Sequence, residues 1–380
     1  MDAFTIIGDP ALNRVQFFAA AVRAVHGSVE IVSYRDILEG KIDRHAQIAG
    51  RRVRLESPGR DFEVERGLLA RGARAGVEPD FAQLPLERIE TLTRDPGLVL
   101  ATRPWYLGYA DLLREVAEAG AQTGATFLNA PADIVTMFDK PASHARLAAA
   151  GVPVPAAQRP PRSFDDLVSA LNTAGWSRAF LKTSHGSGAN GVVALECNGR
   201  AIHATTALEL DDSQETPALY ATTRLRTYRD EARIRRLVDA LCRERLHVES
   251  WVPKAGLAGK TFDVRVVVIG GRACHLLLRL ASGPITNLHL NAEKGSEELL
   301  AQHAGRDAVA LLRATAEKAA ACFPRSLCIG VDITLTPSFQ RAYVLEVNAF
   351  GDLLEGVLWR GADTYTWAVR AALNRDWPPC

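Results

Sequence analysis

The segment from residue 179 to 195, AFLKTSHGSGANGVVAL, constrains the fold of this chain more than any other stretch. Its glycines Gly186, Gly188 and Gly191 have the GxGxxG spacing, which in a dinucleotide-binding fold would open a helix. Here the glycines lead directly into Val192 and further apolar residues, and the Asn-Gly pair is a hairpin turn signal. The sequence therefore predicts a strand, a glycine-rich turn and a second strand.

Lys182 lies on the first of these strands, shortly before the glycines. A lysine beside a glycine-rich turn is typical of phosphate-binding sites, because the ammonium and the backbone N–H groups can both approach the anion. An ordinary polar hairpin is the alternative, since glycine-rich turns are common. The rest of the chain must distinguish the two.

The chain has 380 residues, 47% of them hydrophobic, so it can bury a large core and should form two or three domains. Its net charge of +1 gives no reason to expect nucleic acid or an anionic membrane as a partner. Six scattered cysteines without a CxxC pair favour reduced thiols in a cytoplasmic protein. We expect no signal peptide and no membrane-spanning helix, because no apolar run approaches roughly 20 residues.

Residues 1–125 alternate between strand and helix patterns, which is typical of an α/β domain. The predicted strands are residues 4–7, 29–32 and 98–101, and the predicted helices are residues 14–25, 62–74 and 103–121. The arginine-rich stretch around Arg51, Arg52 and Arg54 interrupts this pattern, and no element is predicted there.

The next part of the chain contains a second lysine of interest. Two short helices are predicted to meet at Asp139, Lys140 and Pro141, and an extended linker follows at residues 152–155. By itself, Lys140 would be a surface lysine. After the glycine hairpin, residues 203–245 are polar with mixed charges, which is typical of solvated helix and does not favour a nucleic-acid surface.

Several further strands are predicted in the last third of the chain. They are residues 247–252, 262–269, 273–280, 326–335 and 341–348. Arg265 lies two residues after Asp263, so both side chains share one face, and Arg279 lies near the end of the partner strand. Because a buried arginine needs an anion, Arg265 and Arg279 are candidates to hold phosphate or carboxylate oxygens.

The last two predicted strands carry a pair of acidic residues. A turn centred on Phe339 would place Asp332 directly opposite Glu346, with Asn348 on the same face. Two facing carboxylates repel each other unless a cation lies between them. Two carboxylates and an amide oxygen suit Mg²⁺, so we predict a metal site, with incidental acids on an exposed face as the alternative.

Together these motifs resemble the ATP-grasp enzymes. The resemblance covers roughly residues 129–353 and depends on Lys140, Lys182 with its glycine hairpin, the HVESWV strand, the DVR segment, Arg279, and Asp332 with the Glu346-Val347-Asn348 triplet. In order and spacing they are similar to the branch that contains the ribosomal-protein glutamate ligase, cyanobacterial peptide-modifying ligases and glutathione synthetase.

The resemblance implies an α/β and α+β architecture, with a pre-ATP-grasp α/β domain followed by a two-subdomain ATP-grasp fold. We predict the α/β domain at residues 1–125, which resemble it more loosely. The first subdomain, with the glycine-rich hairpin, would be residues 126–245. The second, with the metal site, would be residues 246–380.

The resemblance also implies a role for each motif. The implied phosphate ligands are Lys140, Lys182, Asn287 and the flap containing Gly186, Gly188 and Gly191. The implied adenine hinge is Glu249, Trp251 and Val252, largely through backbone groups, and the implied ligands of Mg²⁺, or of Mn²⁺, are Asp332, Glu346 and Asn348. Arg265 and Arg279 would bind the reacting carboxylate or its acyl phosphate. Lys254 and Lys260 stand where an acid for the ribose hydroxyls is expected, so no ribose ligand is predicted.

The implied activity is carboxylate–amine ligation. ATP would phosphorylate a carboxylate, and an amine would displace the phosphate to form an amide. A kinase-like phosphoryl transferase and a nucleotide-binding regulatory module are the alternatives. The expected partners are ATP, a carboxylate and an amine, either small molecules or peptides, without nucleic acid or membrane, and we allow for a homodimer.

Overall fold

The computed structural model describes residues 2–59, 61–76, 78–186, 191–197, 199, 201–213, 215 and 217–374. In these ranges the chain forms one parallel sheet and two antiparallel sheets, with helices packed on them. This is the predicted combination of α/β and α+β architecture. None of the helices in these ranges combines the length and the apolar character that crossing a bilayer requires.

The elements follow one another as in a mixed α/β protein. The strands are β1 (Ala3–Ile7), β2 (Ser28–Val32), β3 (Arg52–Leu55), β4 (Thr126–Phe127), β5 (Ala157–Gln158), β6 (Arg178–Thr183), β7 (Val192–Cys197), β8 (Ile202–Asp211), β9 (Ala218–Tyr228), β10 (Leu246–Ser250), β11 (Gly256–Leu257), β12 (Lys260–Ile269), β13 (Arg272–Ala281), β14 (Glu293–Gly295), β15 (Cys328–Leu335) and β16 (Ala342–Asn348). The helices are α1 (Asn13–Ala24), α2 (Tyr34–Leu38), α3 (Arg44–Ile48), α4 (Phe62–Ala75), α5 (Leu86–Glu90), α6 (Thr102–Thr123), α7 (Pro131–Phe138), α8 (Lys140–Ala149), α9 (Phe164–Ala174), α10 (Glu231–Arg243), α11 (Glu297–Ala304), α12 (Arg306–Ala320) and α13 (Thr364–Leu373), with a 3₁₀ turn, η1 (Leu288–Leu290).

The parallel sheet has the strand order β2-β1-β3-β4. Successive side chains of β1 point to opposite faces: Phe4 and Ile6 pack with α1 and α13, whereas Ile7 packs with α4 and α6. The sheet is therefore covered on both sides, as parallel sheets usually are. Strands β1 and β2 and helices α1, α4 and α6 confirm the predictions for these segments.

Strand β3 occupies the arginine-rich stretch for which no element was predicted. Val53 and Leu55 are buried. Arg54 is buried as well, because it donates hydrogen bonds to the carboxylates of Glu56 (2.6 Å) and Asp352 (2.5 Å). The arginines obscured the strand, because the local sequence does not show that the distant Asp352 helps to neutralise Arg54.

The predicted strand at residues 98–101 is wrong. Leu98 makes only an isolated bridge to Tyr220, and the Val99 N–H donates to the carbonyl of Leu219 on β9 at 2.8 Å. Ala101 has a left-handed backbone with φ of 49°, which ends the extended segment before α6. This short stretch therefore extends the edge of the first antiparallel sheet instead of the parallel one.

The first antiparallel sheet has the order β5-β10-β6-β7-β8-β9, and α9 and α10 pack on it. Strands β6 and β7 pair around the glycine hairpin, as predicted. The prediction of helix over residues 203–245 is wrong before Glu231, because β8 and β9 form there. Ala204, Thr206, Leu208 and Leu210 are buried at alternate positions, a strand period that the polar residues between them obscured.

The second antiparallel sheet has the order β14-β13-β12-β15-β16, with β11 beside β12, and α12 packs against it. The β12–β13 hairpin and the β15–β16 pair confirm the predicted strands. Asp332 lies directly opposite Glu346, also as predicted. Beyond this pair the register shifts, since Ile333 lies opposite Val344, and Leu345 becomes the extra residue of a β-bulge.

The segment of residues 349–352, which follows β16, connects the parts of the molecule. Its oxygens accept hydrogen bonds from four separate side chains: Ala349 O from Asn129 (3.2 Å), Phe350 O from Arg14 (3.0 Å), Gly351 O from Arg265 (3.1 Å) and the Asp352 carboxylate from Arg54 (2.5 Å). A β-carbon at Gly351 would lie 2.6 Å from the Gly330 Cα atom, so the segment can cross β15 this closely only with glycine. The chain then returns through α13 to α1.

Candidate functional site

An open cleft lies between the two antiparallel sheets, with an empty volume of about 820 Å³ that includes solvent at its mouth. Strands β6 and β10 contribute one side, and β12, β13, β15 and β16 contribute the other. Nine residues predicted to form the site line this cleft: Lys140, Lys182, Gly186, Glu249, Val252, Arg279, Asn287, Asp332 and Glu346.

The remaining predicted residues are Gly191, Trp251, Arg265 and Asn348, which lie outside the cleft lining, and Gly188, which falls outside the described residues. The Trp251 ring packs on Phe180, with centroids 4.8 Å apart, and supports the cleft wall from behind. Gly191 has φ of 82°, and a β-carbon there would lie 2.5 Å from the Thr183 Cγ2 atom. The hairpin therefore requires glycine at this position.

Lys182 connects the two sheets across the cleft. Its Nζ atom donates to Glu249 Oε2 at 2.7 Å and to the Leu345 carbonyl, exposed by the bulge, at 3.1 Å. Burial would raise the pKa of the Glu249 carboxyl, but Lys182 and His247 outweigh burial, and the pKa falls to about 2. Glu249 therefore stays ionised and holds Lys182, whereas the predicted role of Glu249 in the adenine hinge was largely through its backbone.

Lys140 makes a second connection. It is the first residue of α8, and the preceding Asp139 caps this helix through a hydrogen bond from the Ala142 N–H at 3.0 Å. The Lys140 Nζ atom donates to the Gly186 carbonyl at 2.5 Å and lies 3.1 Å from Glu346 Oε1. The ammonium thus lies between the glycine hairpin and the last strand.

A row of alternating charges crosses the second antiparallel sheet beside the cleft. Arg279 Nε donates to Asp263 Oδ1 at 2.6 Å, and Arg279 Nη2 lies 3.1 Å from Asp332 Oδ1. Arg265 donates to both oxygens of Asp332, through Nε and, at 2.8 Å, through Nη2. Burial opposes ionisation of Asp332, but Arg265 and Arg279 lower its pKa. The chain itself supplies anions for these arginines, and of the two only Arg279 lines the cleft.

Sequence reasoning did not assign Lys254 or Thr286 to the site, although both line the cleft. Lys254 Nζ donates to Thr286 Oγ1 at 2.6 Å and lies 3.6 Å from Asp263 Oδ2, so it extends the row of charges. Burial lowers the pKa of Lys254, and Asp263 only partly opposes this. The sequence signal for Lys254 was its position shortly after β10, the strand that carries the predicted adenine hinge. The neighbouring Asn287 accepts from the His289 N–H at 2.8 Å and caps η1.

The predicted metal ligands differ in how strongly the chain already binds them. Asp332 is buried and both of its oxygens pair with arginine, whereas the Glu346 side chain is about 30% exposed and contacts Lys140 through Oε1. Asn348 has a buried amide nitrogen without a hydrogen-bond partner among the described residues. No group of three His, Cys, Asp or Glu residues in the described ranges could hold a metal ion. The oxygen donors fit Mg²⁺ in kind, with Glu346 and Asn348 the more available.

The lining combines two kinds of surface. Apolar side chains of Pro155, Phe180, Val252, Ile285 and Leu345 can pack against a flat ring. Four cations, Lys140, Lys182, Lys254 and Arg279, face four carboxylates, Glu249, Asp263, Asp332 and Glu346. A bound polyanion would therefore compete with the protein's own carboxylates for these cations, and a divalent cation would reduce that competition.

No protein-family model and no curated protein sequence matches this chain. Solved structures do match it, over nearly its whole length. The ATP-grasp ligase PsnB in complex with a minimal precursor is 16% identical, with 98% of each chain covered and a TM-score of 0.53.

Two further structures give similar values. The macrocyclase MdnC from Microcystis aeruginosa MRC, bound with the precursor peptide MdnA, is 10% identical, covering 98% of this chain and 99% of that one with a TM-score of 0.52. The D-alanine–D-alanine ligase from Bacillus anthracis, complexed with ATP, is 11% identical, covering 98% and 95% with a TM-score of 0.51. The arrangement of sheets described above is shared with these enzymes, and the chain has the ATP-grasp fold.

Proposed function

We propose that this protein is an ATP-dependent ligase that joins a carboxylate to an amine. The observation that carries the proposal is the meeting of Lys140, Lys182 and Arg279 with Asp332 and Glu346 in one cleft. Cations of this kind bind phosphate oxygens, and the carboxylates suit the metal ion that accompanies ATP. The fold shared with ATP-grasp ligases supports the same conclusion.

In the proposed complex, the triphosphate lies near Lys140 and Lys182. Each lysine would exchange its carboxylate, Glu346 or Glu249, for phosphate oxygens. Gly186, at the start of the glycine-rich turn, lines the cleft and would lie beside the phosphates. Adenine would pack on the apolar lining next to Val252, at the end of the hinge strand.

The proposed ligands of Mg²⁺ are Glu346 and Asn348, with Asp332 joining them where its arginines allow. Bound Mg²⁺ would supply positive charge to the phosphates and neutralise the γ-phosphoryl group during its transfer. Arg265 would act from behind Asp332, since its guanidinium donates to that carboxylate and to Gly351. Arg279 faces the cleft and is the arginine that we propose for the reacting carboxylate.

The proposed reaction has two steps. A carboxylate oxygen of the substrate attacks the γ-phosphorus of ATP, the bond to ADP breaks, and an acyl phosphate forms. The amine nitrogen then attacks the acyl carbon, a proton leaves the nitrogen, and inorganic phosphate departs as the amide forms. Positioning and charge neutralisation are the main requirements of phosphoryl transfer, and the paired lysines and arginines of the cleft can supply both.

Peptides are the first substrates to test. PsnB was solved with a minimal precursor and MdnC with a precursor peptide, and both share the fold of this chain along their whole lengths. A peptide could supply the carboxylate and the amine from its own side chains, in which case the product would be a cyclic peptide.

The test is a screen for ADP release with ATP, Mg²⁺ and pairs of carboxylate and amine donors, including peptides that contain Asp, Glu and Lys. We expect ADP release that depends on both donors, with a condensed product in the mass spectrum. Repeated turnover without amine that accumulates a stable phosphorylated product would identify a phosphoryl transferase instead, because a ligase converts its acyl phosphate into product only with the amine. Tight ATP binding without turnover on any pair would favour a regulatory module.

A further inference from the structure

Asp139 and His185 form a buried pair beside the cleft that the proposed mechanism does not use. The Asp139 Oδ2 atom lies 3.3 Å from His185 Nε2 and 3.4 Å from Arg245 Nη1, and Arg103 Nη1 lies 4.0 Å away. These three partners belong to the hairpin, to the turn before β10 and to α6. One carboxylate thus joins three elements, while its other oxygen caps α8.

The His185 ring is held by a stacking contact and by its Nε2 atom. It stacks on Tyr106 of α6, with centroids 4.1 Å apart and an interplanar angle of 23°. Burial lowers the pKa of His185 to about 4, although Asp139 opposes the shift, so the ring is neutral near pH 7. A neutral ring next to an ionised carboxylate donates its Nε2–H, which makes Asp139 the acceptor.

The backbone carbonyls on either side of His185 accept hydrogen bonds from Lys140. The Lys140 N–H donates to the Ser184 carbonyl at 3.0 Å, and Lys140 Nζ donates to the Gly186 carbonyl at 2.5 Å. Asp139 and Lys140 are adjacent in the chain, and His185 lies between Ser184 and Gly186. Three contacts therefore join the start of α8 to the start of the glycine hairpin. One is the Asp139–His185 pair, and the other two are the hydrogen bonds of the Lys140 N–H and Nζ.

We propose that Asp139 and His185 are positioning residues, which hold Lys140 and the entrance of the glycine hairpin in the arrangement that binds phosphate. The proposal rests on the proposed function, since it assigns the purpose of this contact to ATP binding. Neither residue lines the cleft, so neither needs to touch the nucleotide. A displaced lysine loses much of its interaction with phosphate even when its charge is unchanged.

The test is a double-mutant cycle on ATP affinity, measured by calorimetry with ATP and Mg²⁺ and no second substrate. His185→Phe keeps a ring against Tyr106 but removes the Nε2–H donor, and Lys140→Met removes the cation. We expect each single variant to weaken binding roughly tenfold, because each removes a charge-assisted contact or its support. In the Lys140→Met background, His185→Phe should change the affinity less than about twofold, since the lysine that it positions is gone.

Two further variants keep the test decisive. Asp139→Asn retains an oxygen acceptor for the α8 cap but removes the charge, and it should repeat the non-additive result even if His185→Phe folds poorly. His303→Phe is the matched control, because His303 is exposed on α11, and neither it nor its partners Phe339 and the Gly256 carbonyl line the cleft. It should bind ATP as the wild type does.

The outcomes separate this inference from the proposed function. If the wild type does not bind ATP, the proposed function fails. If the wild type binds ATP and Lys140→Met weakens binding, but the His185 and Asp139 variants bind normally, only the positioning role fails. Fully additive losses in the double variant would also overturn it, because they would show that His185 acts independently of Lys140.

Discussion

Asp332 lies directly opposite Glu346 across β15 and β16, yet the two carboxylates bind different cations. Arg265 and Arg279 pair with Asp332, whereas Lys140 pairs with Glu346. The repulsion expected between facing acids is therefore already offset by the chain. Removing the charge of Glu346 should therefore relieve little repulsion and should not stabilise the protein.

We expect Glu346→Gln to change the free energy of unfolding by less than about 1 kcal/mol, since the glutamine oxygen can still accept from Lys140 and the site is partly exposed. ADP release should fall roughly 100-fold or more, because the proposed metal ion loses a charged ligand. Urea unfolding and ADP release measured on one preparation check this, with Glu118→Gln on the exposed face of α6 as the control. A less stable variant with normal turnover would refute the metal site.

Lys182→Met should be more destabilising than Lys140→Met. Glu249 is buried, so removing Lys182 leaves a buried carboxylate without its main partner, at a cost of about 3–5 kcal/mol. Lys140 pairs with the more exposed Glu346, and its loss should cost only about 1 kcal/mol or less. Both variants should bind ATP more weakly by calorimetry.

A compensating variant separates stability from binding in this experiment. Lys182→Met combined with Glu249→Gln removes both charges, so it should recover most of the lost stability without recovering ATP affinity. Equal unfolding free energies for Lys182→Met and the wild type would contradict the buried ion pair.

The Glu249 pair should also shape acid unfolding. The pKa of Glu249 falls from its ordinary 4.5 to about 2 on folding. The unfolded chain therefore binds more protons between these values, so the stabilisation, about 3 kcal/mol, is complete above pH 4.5 and is lost as the pH falls towards 2. The Lys182→Met, Glu249→Gln variant should show a shallower loss of unfolding free energy in this window. An unchanged slope would mean that another group titrates there.

His185 should act in a different pH window. Its pKa falls from 6.5 to about 4, so the unfolded chain binds the extra proton between these values and stability declines as the pH falls from about 6.5 to 4. His185→Phe should flatten this part of the stability profile, measured by urea unfolding at several pH values. His303→Phe should leave it unchanged, and a flat wild-type profile would argue against the buried neutral ring.

ATP with Mg²⁺ should raise the melting temperature. A ligand at 100 times its dissociation constant stabilises the native state by about 2.7 kcal/mol if it does not bind the unfolded chain. The same ATP concentration with EDTA should give a clearly smaller shift, because the cations of the cleft are already paired with carboxylates. Equal shifts with and without EDTA, measured by differential scanning fluorimetry, would indicate a nucleotide site without metal.

The pairing of Asp332 with Glu346 could be predicted from the alternation of the last two strands, whereas the bulge at Leu345, which shifts the register nearer the turn, could not. The partners of Asp332 could not, since Arg265 and Arg279 reach it only after β12 and β13 take their places in the sheet. The same limit applies to Glu249, whose pairing with Lys182 depends on β10 lying beside β6.

The missed strands have a related cause. In β3 and β8, charged or polar residues alternate with apolar ones, and local composition suggested loop or solvated helix. Arg54 is buried between Glu56, two residues further on, and Asp352, which reaches it from far along the chain. In β3, therefore, a long-range charge pair that the local sequence does not show made the strand hard to predict.

The contacts of residues 349–352 bear on how the proposed ligase could acquire a different substrate. Exchanging the amino-terminal part for that of another protein is an obvious route to new specificity. Here the exchange would remove Arg14 and Arg54, which hold Phe350 and Asp352 just beyond the proposed metal ligand Asn348. We therefore expect that a chimera retains the position of Asn348 only if its amino-terminal part supplies both arginines.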